Sequence, residues 1–184
     1  MKTASDILDF WFSDAAKKRW FKSTDAFDAT IRMEFEPTAM ALAANAAMRE
    51  KWEAGGPESH LALILALDQF PRNMYRATPG MFAWDGLALA SAKHLVKNGG
   101  DLRLNQTQRP FAYMPYMHSE NLDDQEVCIA LCDARLDDDN TLKFAIIHRD
   151  IIAKFGRFPH RNKILGRDMA EGEQAFLDDG GFSG

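Results

Sequence analysis

The sequence predicts an all-α protein, on three observations. Apolar residues recur at three- and four-residue spacings along most of the chain, helix-capping residues and Gly or Pro punctuation separate those stretches, and strand-like alternation is nearly absent. The chain has 184 residues, 46% hydrophobic and 27% charged, the composition and length of a single globular domain, with residues 178–184 expected to fray. The count comes to about eight to ten helices on short connections. Neighbours on short connections fold back antiparallel, as a bundle or as a superhelical array of helix pairs.

In chain order, Ser5 is placed to cap a helix through Phe12, with Ile7, Leu8, Trp11 and Phe12 on one face. Ser23 and Thr24 precede a helix over 25–35, where Phe27, Ile31 and Phe35 repeat every fourth residue and Pro37 is expected to stop it. The Ala- and Met-rich stretch 38–53 reads as one helix ended by Gly55-Gly56-Pro57. Ser59 opens the stretch around which the rest is organised, LALILALDQFPRNMYR over 61–76. It is apolar on all sides, so it belongs in the middle of the molecule, and it is expected to end near Phe70, where Pro71 follows.

Thr78-Pro79 is a cap with a proline at the first helical position, opening a helix that runs to Gly99-Gly100. A Pro-interrupted helix follows over 106–118. Residues 121–136 carry acids in their first turns, where the helix dipole favours them. A helix over 141–155 closes at Gly156, and a turn at 161–165 and a helix near 171–177 finish the chain.

Composition excludes several classes of function. A net charge of −5 and no basic stripe argue against nucleic acid as a partner. No run approaches 18 apolar residues and the N-terminus lacks a signal-peptide pattern, so no membrane partner is expected and the location is read as cytoplasmic. Cys128 and Cys132, four apart on one helix, read as small core residues in a reducing compartment. No phosphate-binding loop, dinucleotide fingerprint, HExxH or nucleophile elbow is present, and no cofactor is expected.

Candidate site residues cluster where apolar helices run into polar chemistry. Asp68 lies on the buried stripe of Leu61, Ile64 and Leu65, so its carboxylate needs a cation; Arg72, four residues on, or the remote Arg109 or Arg161 can supply one. Phe70-Pro71-Arg72-Asn73 has an echo in Phe158-Pro159-His160-Arg161-Asn162, and both follow long apolar helices. Arg and Asn there either satisfy the last carbonyls of those helices or clamp and orient an anion.

His118 and Glu120 form a candidate acid/base pair, with His160 as an alternative base; the plainer alternative makes Glu120 a dipole-compensating acid at a helix start. His148 faces the stripe of its own helix. Asp68, Arg72, Asn73, Arg109, Tyr113, His148, Arg161 and Asn162 make up the expected ligand-contacting set. Metal binding by His118, Glu120, His148 and His160 has no recognised ligand spacing behind it, so no metal is expected; His60 and His94 read as structural or surface residues. Trp20-Phe21 is a candidate exposed apolar patch.

Four separated blocks carry a family resemblance: LDFWF, LALILALDQFPRNMYR, FAYMPYMHSE and HRDIIAKFGRFPHRNKILGR. Together they resemble the bacterial family of domain of unknown function 924, from about Ile7 to Phe182. That resemblance implies an all-helical fold similar to tetratricopeptide-repeat superhelices, and no activity. Two functions follow as expectations: a site binding a small anionic molecule or a peptide carboxylate, or a small-molecule hydrolase built on the same residues. Oligomeric state is left open.

Overall fold

A computed structural model describes residues 1–182, and residues 183–184, in the segment expected to fray, lie outside the described residues. Eleven α-helices and three short 3-10 turns make up the regular structure, and there is no strand among the described residues. The all-α expectation is met, but several boundaries move for identifiable reasons.

Helix α1 (Ala4–Trp11) is capped by Thr3 rather than Ser5. Asp6 decides this: its carboxylate accepts from the Thr3 amide while the Thr3 hydroxyl accepts from the Asp6 amide, satisfying two end donors at once. A one-turn helix α2 (Asp14–Lys17), capped by Ser13, leads to Trp20, which is not an exposed patch residue. Its ring lies 4.7 Å from Phe111 and its indole N–H donates to the Trp11 carbonyl at 2.9 Å, leaving Phe21 as the exposed aromatic.

Pro37 does not end the third helix. α3 (Asp25–Ala44) runs through it. The exposed neighbourhood of Met33 leaves the carbonyl that lost its amide partner near water, while Ile31, Phe35, Ala39 and Leu42 on either side are buried. Asn45 then takes extended geometry and caps α4 (Ala46–Ala54) through its side chain, splitting the helix expected over 38–53.

Helix α5 (Pro57–Met74) starts at Gly56-Pro57 rather than at Ser59. Gly56 sits at φ +101°, a conformation closed to most side chains, and Pro57 occupies the first turn, where no amide is needed. Every residue from His60 to Pro71 is buried, so α5 is the central rod; α1, α3, α4, α6 (Asp85–Lys97) and α7 (Arg109–Met117) pack around it. It passes Pro71 and ends at Met74, which puts Asp68 more than a turn inside the helix. Between α5 and α6 the chain makes a 3-10 turn, Pro79–Phe82, where a single helix to Gly99 was expected.

Helix α8 (Leu122–Arg135), capped by Asn121, and α9 (Asp139–Phe155), capped by Asp138, fold back on each other across a three-residue connection. Gly156 closes α9 at φ +69°. A 3-10 turn (Pro159–Arg161), α10 (Asn162–Leu165) and α11 (Glu173–Asp178) complete the chain. Beyond α11, the Phe182 ring rests 4.5 Å from that of His148. Cys128 and Cys132 are buried and unpaired, and no helix among the described residues is long and apolar enough to cross a membrane.

Candidate functional site

Four segments end at one place: the last turns of α5, the start of α6, the C-terminus of α7 and the 3-10 turn after α9. Together they deliver Asp68 and Arg72 from α5, Asp85 from α6, His118 from the end of α7 and Arg161 from the 3-10 turn. Asp68 comes from α5 with no solvent exposure at all. Its Oδ1 accepts from His118 Nδ1 at 2.8 Å and lies 3.2 Å from Arg72 Nη1, while Gln69 donates to Oδ2. The expected ion pair between Asp68 and Arg72 is therefore present. Arg72 also forks onto Asp85 at 2.9 and 3.0 Å and donates to its own helix at the Asp68 carbonyl.

Arg161 arrives from the opposite corner. Its guanidinium is sandwiched between Phe82, 4.6 Å from the ring centre, and Phe158, at 4.5 Å. Nη2 donates to the His118 carbonyl at 3.0 Å, Nη1 stands 3.6 Å from Asp85, and Nε is buried with no hydrogen-bond partner among the described residues. The two Phe-Pro corners thus do meet, through Asp85, which accepts from Arg72 and faces Arg161.

Electrostatics assign the protonation states. Burial by itself would raise Asp68, but Arg72 and His118 outweigh it and hold the carboxyl well below the usual range. Since an ionised carboxylate only accepts, the His118 nitrogen facing it carries the proton. Burial, then the Arg72 charge, push His118 below its ordinary value despite Asp68. The imidazole is accordingly neutral at pH 7, with its lone pair on Nε2. Burial above all lowers His148 and His160 to about 4 each, with positive charge on neighbouring groups, Arg161 among them, acting in the same direction. Burial and the Arg72 charge bring Arg161 down to about 10, so it stays charged at neutral pH. Two carboxylates (Asp68, Asp85) and two guanidiniums (Arg72, Arg161) balance beside the one neutral imidazole of His118.

Several expected site residues are spent elsewhere. Glu120 does not touch His118; it pairs with Arg167 at 2.7 and 2.9 Å and accepts the Phe158 amide at 2.9 Å. Asn73 donates to Asp28 at 2.7 Å, and Asn162 donates to the buried Glu173 at 2.9 Å, so neither side chain reaches the cluster. Arg109 binds the carbonyls of Asp101, Leu104 and Arg135, while Tyr113 donates to Asp101 at 2.6 Å; both belong to a separate clasp. His148 uses Nδ1 on the Phe144 carbonyl of its own helix, with its ring 5.5 Å from Phe158. His160 keeps a buried Nδ1 with no partner among the described residues.

Sequence reasoning missed Asp85, Phe82 and Arg167. Asp85 reads as an ordinary acid at a helix start, and nothing local marks Phe82 as an arginine's platform. It also read His60 and His94 as structural or surface residues without a companion, whereas they lie 5.5 Å apart ring to ring and both approach Glu53.

Fold and site define a class: an all-helical domain whose interior holds a charge-balanced carboxylate, guanidinium and imidazole cluster. The chain belongs to the family described as bacterial protein of unknown function (DUF924), whose model matches residues 7–181. It is similar to the solved structure of a protein of unknown function from Agrobacterium tumefaciens. The two share 38% identity at a TM-score of 0.88, over 96% of this chain and 97% of that one. No curated protein matches the chain.

Proposed function

We propose that the protein binds a small anionic molecule, a carboxylate or a phosphate, at the cluster around Arg161. The observation that carries this reading is the state of Arg161 itself. It is 7% exposed, clamped between two aromatic rings, and has a buried Nε–H with no acceptor among the described residues and an Nη1 3.6 Å from the Asp85 carboxylate. A guanidinium with unused donors, held rigid by stacking, is preorganised for a planar or tetrahedral anion. The aromatic platform already supplies the order that binding would otherwise have to impose.

A second reading, hydrolysis of such a ligand, is favoured by the Asp68–His118 contact. A buried carboxylate that fixes Nδ1–H leaves Nε2 as a base of defined direction. In that reading Arg161 and Arg72 stabilise developing negative charge. We also infer a cytoplasmic setting, supported by two buried thiols left unpaired.

The test is a thermal-shift panel of small carboxylates and phosphomonoesters on wild type, Arg161→Lys and His118→Asn. A ligand at about a hundred times its Kd stabilises by about 2.7 kcal/mol, roughly 5–10 °C in a domain of this size. Arg161→Lys keeps the charge but loses the fork, and the shift is expected to shrink to a third or less. Equal shifts in wild type and Arg161→Lys would refute binding at this cluster. Turnover of the same ligand, abolished in His118→Asn while binding persists, would select the hydrolytic reading.

A further inference from the structure

On another part of the surface, three ligating side chains converge without any role in the Arg161 cluster. Glu53 from α4, His60 from α5 and His94 from α6 each offer a donor atom within 4.8 Å of the other two. His94 Nδ1 is 2.8 Å from Glu53 Oε2, and His60 Nε2 is 3.7 Å from Glu53 Oε1. For bonds of about 2.1 Å at tetrahedral angles, donor atoms stand about 3.4 Å apart, and each imidazole nitrogen lies near that distance from its own oxygen of the Glu53 carboxylate. The carboxylate is held in place from behind, since Ser91 Oγ donates to Glu53 Oε1 at 3.0 Å.

We propose that Glu53, His60 and His94 form an open site for a divalent metal of the zinc class, with its remaining coordination positions facing the adjoining cavity. That cavity has a volume of about 360 Å³, and Glu50, Asn98 and Arg103 share its lining with the three ligands. Two imidazoles and one carboxylate suit zinc, cobalt or nickel better than calcium or magnesium, which prefer all-oxygen sets. Three protein ligands leave room for water or an anion, as catalytic sites do and closed structural sites do not.

His60 Nε2 lies 2.9 Å from the Ser91 carbonyl oxygen, which only accepts, so without metal that nitrogen carries a proton. Metal takes the place of that proton once the His60 ring turns off the Ser91 carbonyl, since a 2.9 Å gap cannot hold an ion about 2.1 Å from the nitrogen; the carbonyl keeps its position in the α6 hydrogen-bond ladder. Three different helices supply the ligands, so binding also fastens α4 to the α5–α6 pair.

Untagged, chelator-stripped full-length protein is titrated with Co²⁺ and followed by visible absorption, and with Zn²⁺ followed by imidazole ¹⁵N NMR. The chain has five histidines. The expected result is one equivalent bound with a Kd in the micromolar range or tighter, moving the resonances of His60 and His94 and leaving the other three. His94→Ala removes a half-exposed ring and Glu53→Gln removes the charge; each is expected to weaken Co²⁺ binding at least tenfold. Wild-type resonances that stay put at one equivalent, shifts at His118, His148 or His160 instead, or undiminished binding in His94→Ala would each overturn the site. The NMR readout needs no variant, so a variant that folds poorly does not shield the proposal.

Discussion

Asp68 is a carboxylate with no access to water, kept ionised by two neighbours of different kinds. Arg72 was legible in the sequence, because a buried acid on a helix calls for a cation and position i+4 supplies one. His118 was not, since it lies 50 positions away and only the packing of α7 on α5 brings it to 2.8 Å. Asp68→Asn keeps an acceptor for His118 but leaves the cluster with one uncompensated guanidinium. Uncovering a buried charge costs about 3 kcal/mol, which for a domain of this size lowers Tm by roughly 6–12 °C in calorimetry. The same substitution removes the carboxylate that opposes the downward pressure of burial and Arg72 on His118. Its NMR titration midpoint is therefore expected to fall further. An unchanged melting temperature would mean that Asp68 contributes no charge to the folded state.

At the scale of elements, proline misleads wherever tertiary packing outweighs local geometry. Pro37 and Pro71 both look like helix stops, and both sit inside helices. Breaking α3 at Pro37 would uncover Phe35, Ala39 and Leu42, and each large side chain is worth about 1.5–3 kcal/mol when buried. The proline costs about 3 kcal/mol, so burial wins. The Pro37→Ala variant regains the missing amide and is expected to gain 1 kcal/mol or more, up to about 3, read as a rise in the denaturation midpoint at unchanged m-value. A loss of stability would show instead that α3 needs a bend at this position. Helix starts were read unevenly. Thr24 and Gly156 serve as the sequence suggests, but Ser5 yields to Thr3, whose reciprocal pairing with Asp6 decides the start of α1, and α5 opens at Gly56-Pro57 rather than at Ser59. Asn162, by contrast, looked free beside Arg161. It turned out to be bound to Glu173, a residue buried among Arg157, Asn162 and the Ala170 amide.

For the whole molecule, the greasy central helix could be read from 61–67 alone, whereas the charge balance of the cluster could not, since its members come from four segments. That balance sets the pH response. His148 and His160 titrate near 4 when folded and near 6.5 when unfolded, because burial disfavours their charged forms. Below pH 6.5 the unfolded chain takes up protons that the folded chain refuses, so stability falls as pH falls, and this loss is complete only below about pH 4. Glu173, held at about 2 by Arg157, and Asp68 add a second loss at lower pH, which begins as the pH falls through the ordinary carboxylate range, where the unfolded chain takes up protons, and runs down to their lowered folded values. Between pH 7 and 5 the histidines alone account for roughly 3 kcal/mol, allowing for water that reaches His160, or about 6–12 °C in Tm. Thermal melts across that range test this, with His148→Gln as the control that removes one titrating ring and flattens the slope. A melting temperature that stays level from pH 7 to 5 would mean that these imidazoles meet solvent in the folded protein, and that the aromatic cover formed by Phe158 and Phe182 does not exclude it.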